Sequence, residues 1–232
     1  MRIYTRRGDD GTTGLLYGGR VGKASPRIEL NGAVDEAQAA LGLARAESSP
    51  GSELDELLVV LERELYVLMA EVATAPENRG KLVAGESLVT EPMVLRLEGW
   101  IDRLSERFEM PTEFVVPGAT RVAAALDVAR TVVRRAERVL ASMRPLHEAA
   151  STPAGEAAGG GEPSHVGPTR GTPGGGEPSH VGPTRGTPGG GEPSHVGPYL
   201  NRLSDLLWTM ARWQEGDVHL AARERPRHRG EA

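Results

Sequence analysis

The chain has 232 residues, sets 27 Lys and Arg against 32 Asp and Glu for a net charge of −5, and contains no cysteine. Those totals exclude disulfides, cysteine-held zinc and thiol nucleophiles, and they argue against a dedicated nucleic-acid binder, which carries a basic excess. Hydrophobic residues make up 38% but aromatics only 4%, so the core must be finely divided and aliphatic, which favours packed helices over a β-sandwich.

Residues 1–25 contain YTRRGDDGTTGLLYGGRVGK. Glycine lets backbone N–H groups converge on an anion, threonine adds hydroxyls, and Lys23 supplies a mobile positive charge. This is the composition of a phosphate-cradling loop, or else of a flexible arm. It has neither the order of a Walker loop nor the strand and helix setting of a Rossmann fingerprint. Its apolar content is too low for a signal peptide, and no stretch approaches the length of a membrane span. A soluble, cytoplasmic protein is the expectation.

Pro26 opens a first helix, with Leu30, Val34, Ala37, Leu41 and Ala44 inward through about Glu47. Asp35 lies on its polar face, either solvated or paired with an arginine from elsewhere. A second helix follows the turn at 48–52; Leu54, Leu57, Leu58, Leu61, Leu65 and Leu68 make it pure scaffold, and Pro76 stops it. The spacing predicts a third helix from about Pro92 to Phe108, then an extended piece over 113–116 that carries Phe114. That ring either plugs the end of the helical body or lines a pocket.

The fourth helix, RVAAALDVARTVVRRAERVL from Arg121 to Leu140, holds the most informative chemistry. At about 100° per residue, Ala125, Val128, Val132, Val133 and Ala136 fall on one side. Asp127, Arg130, Arg134, Glu137 and Arg138 share roughly a quarter-turn of the other. Such a strip is either a solvated face laced with ion pairs or a set of guanidinium forks suited to phosphate oxygens.

From about 147 to 198 the composition changes. GGGEPSHVGPTRGTP spans Gly159–Pro173, recurs unchanged at Gly174–Pro188 and reappears truncated at Gly189–Pro198. Gly and Pro at this density cannot bury a core, so a disordered insertion is expected. Extending a connection from about 10 to about 50 residues costs only roughly 1.4 kcal/mol in closure entropy. His165, His180 and His195 recur within it, but widely spaced histidines on such a tract are weak metal ligands. A last helix over 199–216 turns Leu200, Leu203, Leu206, Leu207 and Met210 inward and Asn201, Asp205 and Arg212 outward. Residues 217–232 are expected to fray into a charged tail.

Five segments in this order, TRRGDDGTTGLL with GGRVGK, NGAVDEAQAALGLA, FVVPGAT, VARTVVRRAER and YLNRLSDLLW, resemble the PduO-type ATP:cob(I)alamin adenosyltransferases. The resemblance implies an all-α five-helix bundle, residues 26–146 supplying four helices and 199–216 the fifth, assembled as a homotrimer with active sites between subunits. It implies transfer of the 5′-deoxyadenosyl group of ATP to the cobalt of cob(I)alamin, release of triphosphate, and assistance by Mg²⁺. Thr5, Arg6, Arg7, Gly8, Thr12, Thr13 and Lys23 would wrap the triphosphate. Arg134, Arg135, Ala136, Glu137 and Arg138 would hold the nucleotide from the fourth helix, and Asn201 from the last. Asp35 and Arg130 match an ion pair across the subunit boundary, and Phe114 an aromatic cover for the lower corrin face. No metal-ligand set in the protein is implied. A reductase preparing cob(I)alamin and an adenosylcobalamin-dependent enzyme are the partners such chemistry calls for. An escort that binds ATP or finished coenzyme without turnover is the alternative, and an ATP hydrolase a third reading.

Overall fold

The computed structural model describes Tyr4, residues 6–143, residues 194–216, Val218 and residues 220–222. Thr5, His165, His180 and the repeat up to residue 193 lie outside the described residues. Two short strands, β1 (Thr12–Gly14) and β2 (Arg20–Gly22), form an antiparallel hairpin before the first helix. Five helices follow: α1 (Pro26–Ala46), α2 (Glu53–Val72), α3 (Glu91–Ser105), α4 (Arg121–Met143) and α5 (Val196–Glu215). Strand β3 (Val115–Val116) precedes α4 and pairs antiparallel with β4 (Leu220–Ala221) beyond α5. Among the described residues no helix is long and apolar enough to cross a membrane.

The helix starts follow local chemistry. Pro26 and Pro92 stand in the first turns of α1 and α3, where a missing N–H costs nothing. The Ser52 side chain accepts the Asp55 N–H at 3.3 Å to cap α2. The core is aliphatic as expected, with Leu58, Leu61, Leu65, Leu97, Leu126, Leu203 and Leu207 fully buried. Tyr199 is the exception in kind. Burial and the neighbouring Glu64 push its hydroxyl well above the usual tyrosine range, so it stays protonated and donates to Glu64 at 2.8 Å.

Ion pairs and ring contacts fix the helix directions. Arg45 meets Asp55 at 2.8 Å, so α1 and α2 run antiparallel. Glu64 meets Arg96, and Glu53 meets Arg103 and Arg107, so α3 runs against α2. Glu98 meets Arg202, and Phe108 packs edge-on against Trp208, so α5 runs with α3. Asn201 reaches Glu137 and Arg212 reaches Asp127, so α4 runs against α5. One end of the bundle therefore collects the hairpin, the starts of α1, α3 and α5, and the ends of α2 and α4. The other collects β3, β4 and the start of α4.

Several expectations change. The last helix begins at Val196 rather than 199, so the third repeat copy is partly built into the fold. Ser194 donates to Glu71 at 2.7 Å and Val196 is buried. Glu71 also accepts from the Val89 N–H at 2.8 Å and from Arg79 at 2.9 Å. Helix α2 is scaffold through polar contacts as well as leucines, because its buried carboxylates Glu64 and Glu71 bind three other segments together. Val128, expected inward, is 52% exposed, and Arg212, expected outward, is 3% exposed. Leu220 and Ala221, expected within a charged tail, form β4 and pair with β3.

Candidate functional site

The glycine-rich leader folds back on itself. Lys23 N–H donates to the Gly11 carbonyl at 2.9 Å, which closes the loop over residues 11–23. Gly11, at φ +79°, makes a turn that a side chain would strain. Arg20 binds the Thr12 hydroxyl through Nε at 3.0 Å and also reaches the Arg7 carbonyl, and the Thr12 hydroxyl and N–H both donate to Asp10, at 2.7 and 2.9 Å. Those bonds, the Thr12 hydroxyl first, hold the Asp10 carboxyl below the usual carboxylate range. Thr12 is thus a staple within the leader. Arg20, which sequence reasoning quoted within GGRVGK without assigning it a task, knits the loop.

Gly8 carries the plainest sign of a cradle. A Cβ placed there would meet the Lys23 ammonium at 3.2 Å and the Thr12 carbonyl at 3.2 Å. The Lys23 cation therefore rests over a glycine in an exposed loop. Arg6 lies in the left-handed region at φ 59°, its guanidinium 5.6 Å over the Tyr4 ring. Two contacts tie the hairpin to the bundle: the Leu16 N–H donates to Ala73 at 2.9 Å, and Arg27 caps the carbonyls that end α2, reaching Thr74 at 2.8 Å. Arg27 was not singled out from sequence, because its target lies 47 residues away.

Helix α4 presents the cationic strip. Arg134 and Arg138 are exposed, while Arg135 and Glu137 are half-buried. Arg135 pairs with Glu36 of α1, an acid the periodicity did not single out. Across the groove, the Asn201 side-chain amide donates to Glu137 at 3.0 Å, so the polar faces of α4 and α5 do meet. Ala136 is fully buried in the core, which corrects its inclusion with the ligand-facing residues. At the far end of the strip Arg130 pairs with Asp127 at 3.3 Å. Asp35 is exposed, and among the described residues no ion pair reaches it within the chain. The Asp35–Arg130 contact is thus not made inside one subunit.

Phe114 is 88% exposed, so it does not plug the bundle. Its carbonyl accepts the Ala222 N–H at 2.7 Å, beside the β3–β4 pairing. Leu220 and Val218 are exposed on the same returning segment. Phe114 and the Gly8–Lys23 cradle occupy opposite ends of the bundle, separated along the 21-residue α1 by about 30 Å at 1.5 Å per residue. Among the described residues no group of three or more His, Cys, Asp or Glu could hold a metal ion.

A family model described as cobalamin adenosyltransferase matches residues 3–155. A corrinoid adenosyltransferase of Mycobacterium bovis is 39% identical over 137 residues, 59% of this chain and 70% of that protein. The corrinoid adenosyltransferase PduO of Salmonella typhimurium is 37% identical over 221 residues, 95% of this chain and 52% of that protein. Among solved structures, a variant PduO-type ATP:corrinoid adenosyltransferase from Lactobacillus reuteri, complexed with cobalamin and ATP, superposes with a TM-score of 0.65 at 23% identity, over 92% of this chain and 91% of that one. At that identity the likeness speaks for the fold.

Proposed function

This chain belongs to the cobalamin adenosyltransferase family and carries out the ATP-dependent adenosylation of cobalamin; from that premise we propose which of its residues do so, and how. The observation that carries the proposal is the Lys23 ammonium seated over Gly8, together with an arginine strip on α4 that Asn201 flanks from α5.

Cobalt(I) of the reduced corrinoid is itself the nucleophile. Its electron pair attacks C5′ of ATP, the cobalt–carbon bond forms, the C5′–oxygen bond breaks, and the bonding pair leaves on triphosphate. No protein nucleophile or proton transfer is needed. The protein must align C5′ with cobalt and stabilise the charge gathering on the leaving group. Arg6, Arg7, Thr13 and Lys23 of the leader receive the triphosphate, with Thr5 beside them and Thr12 stapling the loop. Arg134, Arg135 and Arg138 face the nucleotide from α4, with Glu137 and Asn201 beside them. Mg²⁺ fits as an ion brought in on the phosphates, since it keeps several waters and needs few protein oxygens; Glu137 is the strip carboxylate that would face it. The ion would neutralise part of the departing charge.

Phe114 would lie against the lower corrin face, filling space and coordinating nothing. The cradle and Phe114 stand at opposite ends of one subunit, about 30 Å apart along α1. That separation, and an Asp35 carboxylate that no ion pair reaches among the described residues, support a site shared between subunits of a homotrimer, in which one copy's leader and Asp35 complete the strip and Phe114 of the next. Cob(I)alamin then has to come from a reductase, and the product passes to an adenosylcobalamin-dependent enzyme, in the cytoplasm.

Anaerobic addition of ATP and Mg²⁺ to chemically reduced cobalamin and the protein should convert the absorbance spectrum to that of the adenosyl form and release triphosphate. Tight coenzyme retention without turnover would favour an escort, and ADP with phosphate would favour a hydrolase. Sedimentation of the purified protein should give three copies.

A further inference from the structure

The Asp127 carboxylate, though on the polar side of α4, is only 5% exposed. Its Oδ2 accepts from Arg212 Nη2 at 2.7 Å, and its Oδ1 accepts from Arg130 Nε at 3.3 Å. Arg212 is 3% exposed, sits 5.7 Å over the Trp208 ring, and lies 2.8 Å through Nε from the buried Glu215. Asp127 and Glu215 thus both contact one buried guanidinium. Arg130, with 28% of its side chain exposed, reaches the same Asp127 carboxylate from the rim. The Asp127 carboxylate, its other oxygen held by Arg212, thus holds Arg130 by its Nε edge. Among the described residues both Nη groups of Arg130 then lack a partner, which leaves the outer edge of the fork for a carboxylate or a ligand.

We propose that Asp127, itself held by Arg212, is a positioning residue that aims the Arg130 fork into the adenosyl-transfer site. The inference rests on the reading of Arg130 as a site residue. Glu215 joins the same cluster and immediately precedes Gly216, where the chain turns at φ 56° toward β4 and the Phe114 carbonyl.

The test is a double-mutant cycle on the full-length protein with anaerobic cob(I)alamin and ATP. Asp127→Asn keeps the shape of the side chain and removes its charge. It should lower kcat about 10- to 100-fold, as small misplacements of a positioned group do, with KM for ATP changed less than threefold. In the Arg130→Ala background the same substitution should change kcat less than threefold, because the group it aims is gone. Losses that multiply in the double variant, or full turnover in Asp127→Asn when Arg130→Ala is impaired, would overturn the proposal. Full turnover in Arg130→Ala would instead overturn the site reading beneath it. Should Asp127→Asn not fold, Asp127→Glu keeps the charge, shifts the carboxylate by one methylene, and decides the same cycle.

Discussion

Substituting alanine at Gly8 tests the phosphate cradle without touching a charged group. The new methyl would stand 3.2 Å from the Lys23 ammonium, 3.3 Å from its Cε and 3.2 Å from the Thr12 carbonyl, all inside ordinary carbon contact. Thr12 is held in register opposite Gly22, and the Lys23 backbone is held by Gly11, so neither can retreat. The flexible lysine side chain yields, and its ammonium leaves the loop. A charge-assisted contact to phosphate contributes about 1.5–3 kcal/mol, so complete loss in Lys23→Ala should raise KM for ATP about ten- to a hundredfold. Gly8→Ala should produce part of that rise, with the helical circular dichroism and melting temperature unchanged because Gly8 lies outside the bundle core. The assay is the initial rate of cobalt–carbon bond formation against ATP concentration at saturating reduced cobalamin. If Gly8→Ala weakens ATP use as much in a Lys23→Ala background as in the parent, the methyl acts by some other route and the reasoning fails.

Glu71→Ala strands the buried Val89 N–H and frees Ser194; at about 2 kcal/mol for the lost acceptor the melting temperature should fall by roughly 4–8 °C, read by circular dichroism, and an unchanged value would refute the staple. Phe114→Ala should leave the melting temperature within about 1 °C, since an exposed ring contributes little packing, while turnover with cobalamin falls; equal turnover would remove Phe114 from the corrin face. Excising Gly159–Pro188 removes two whole repeats and keeps Ser194 and Val196, so activity and melting should match the parent. Extending the excision through Val196 should lower the melting temperature, and if it does not, the third copy contributes nothing to α5.

The elements themselves were legible because their determinants are local. Leucine spacing in α2, proline at the starts of α1 and α3, and a quarter-turn of arginines on α4 are properties of neighbours three and four residues apart. The glycine and threonine content of the leader likewise marked it as a loop outside the helices. The five ordered motifs, read as a resemblance, carried the family and the chemistry further than any one pattern could. They also pointed to Asn201 beside the α4 strip.

What required the folded chain was the fate of each polar group at long range. Asp127 and Arg212 stand 85 residues apart, and only the antiparallel pairing of α4 and α5 turns a nominal surface acid and base into a buried pair. The wheel put Val128 inside and Arg212 outside because a helix has more than one neighbour, and periodicity does not say which stripe each neighbour covers. Phe114 stands out in solvent beside the β3–β4 pairing, a contact between segments more than a hundred residues apart. The start of α5 within a repeat copy, fixed by Glu71, was hidden for the same reason, since that carboxylate lies 123 residues from the Ser194 it holds. Short-range periodicity therefore specified the helices and the chemical kinds of residue on them, whereas burial, pairing and the direction in which each cation points were decided by tertiary packing, because desolvation depends on neighbours that sequence separation conceals.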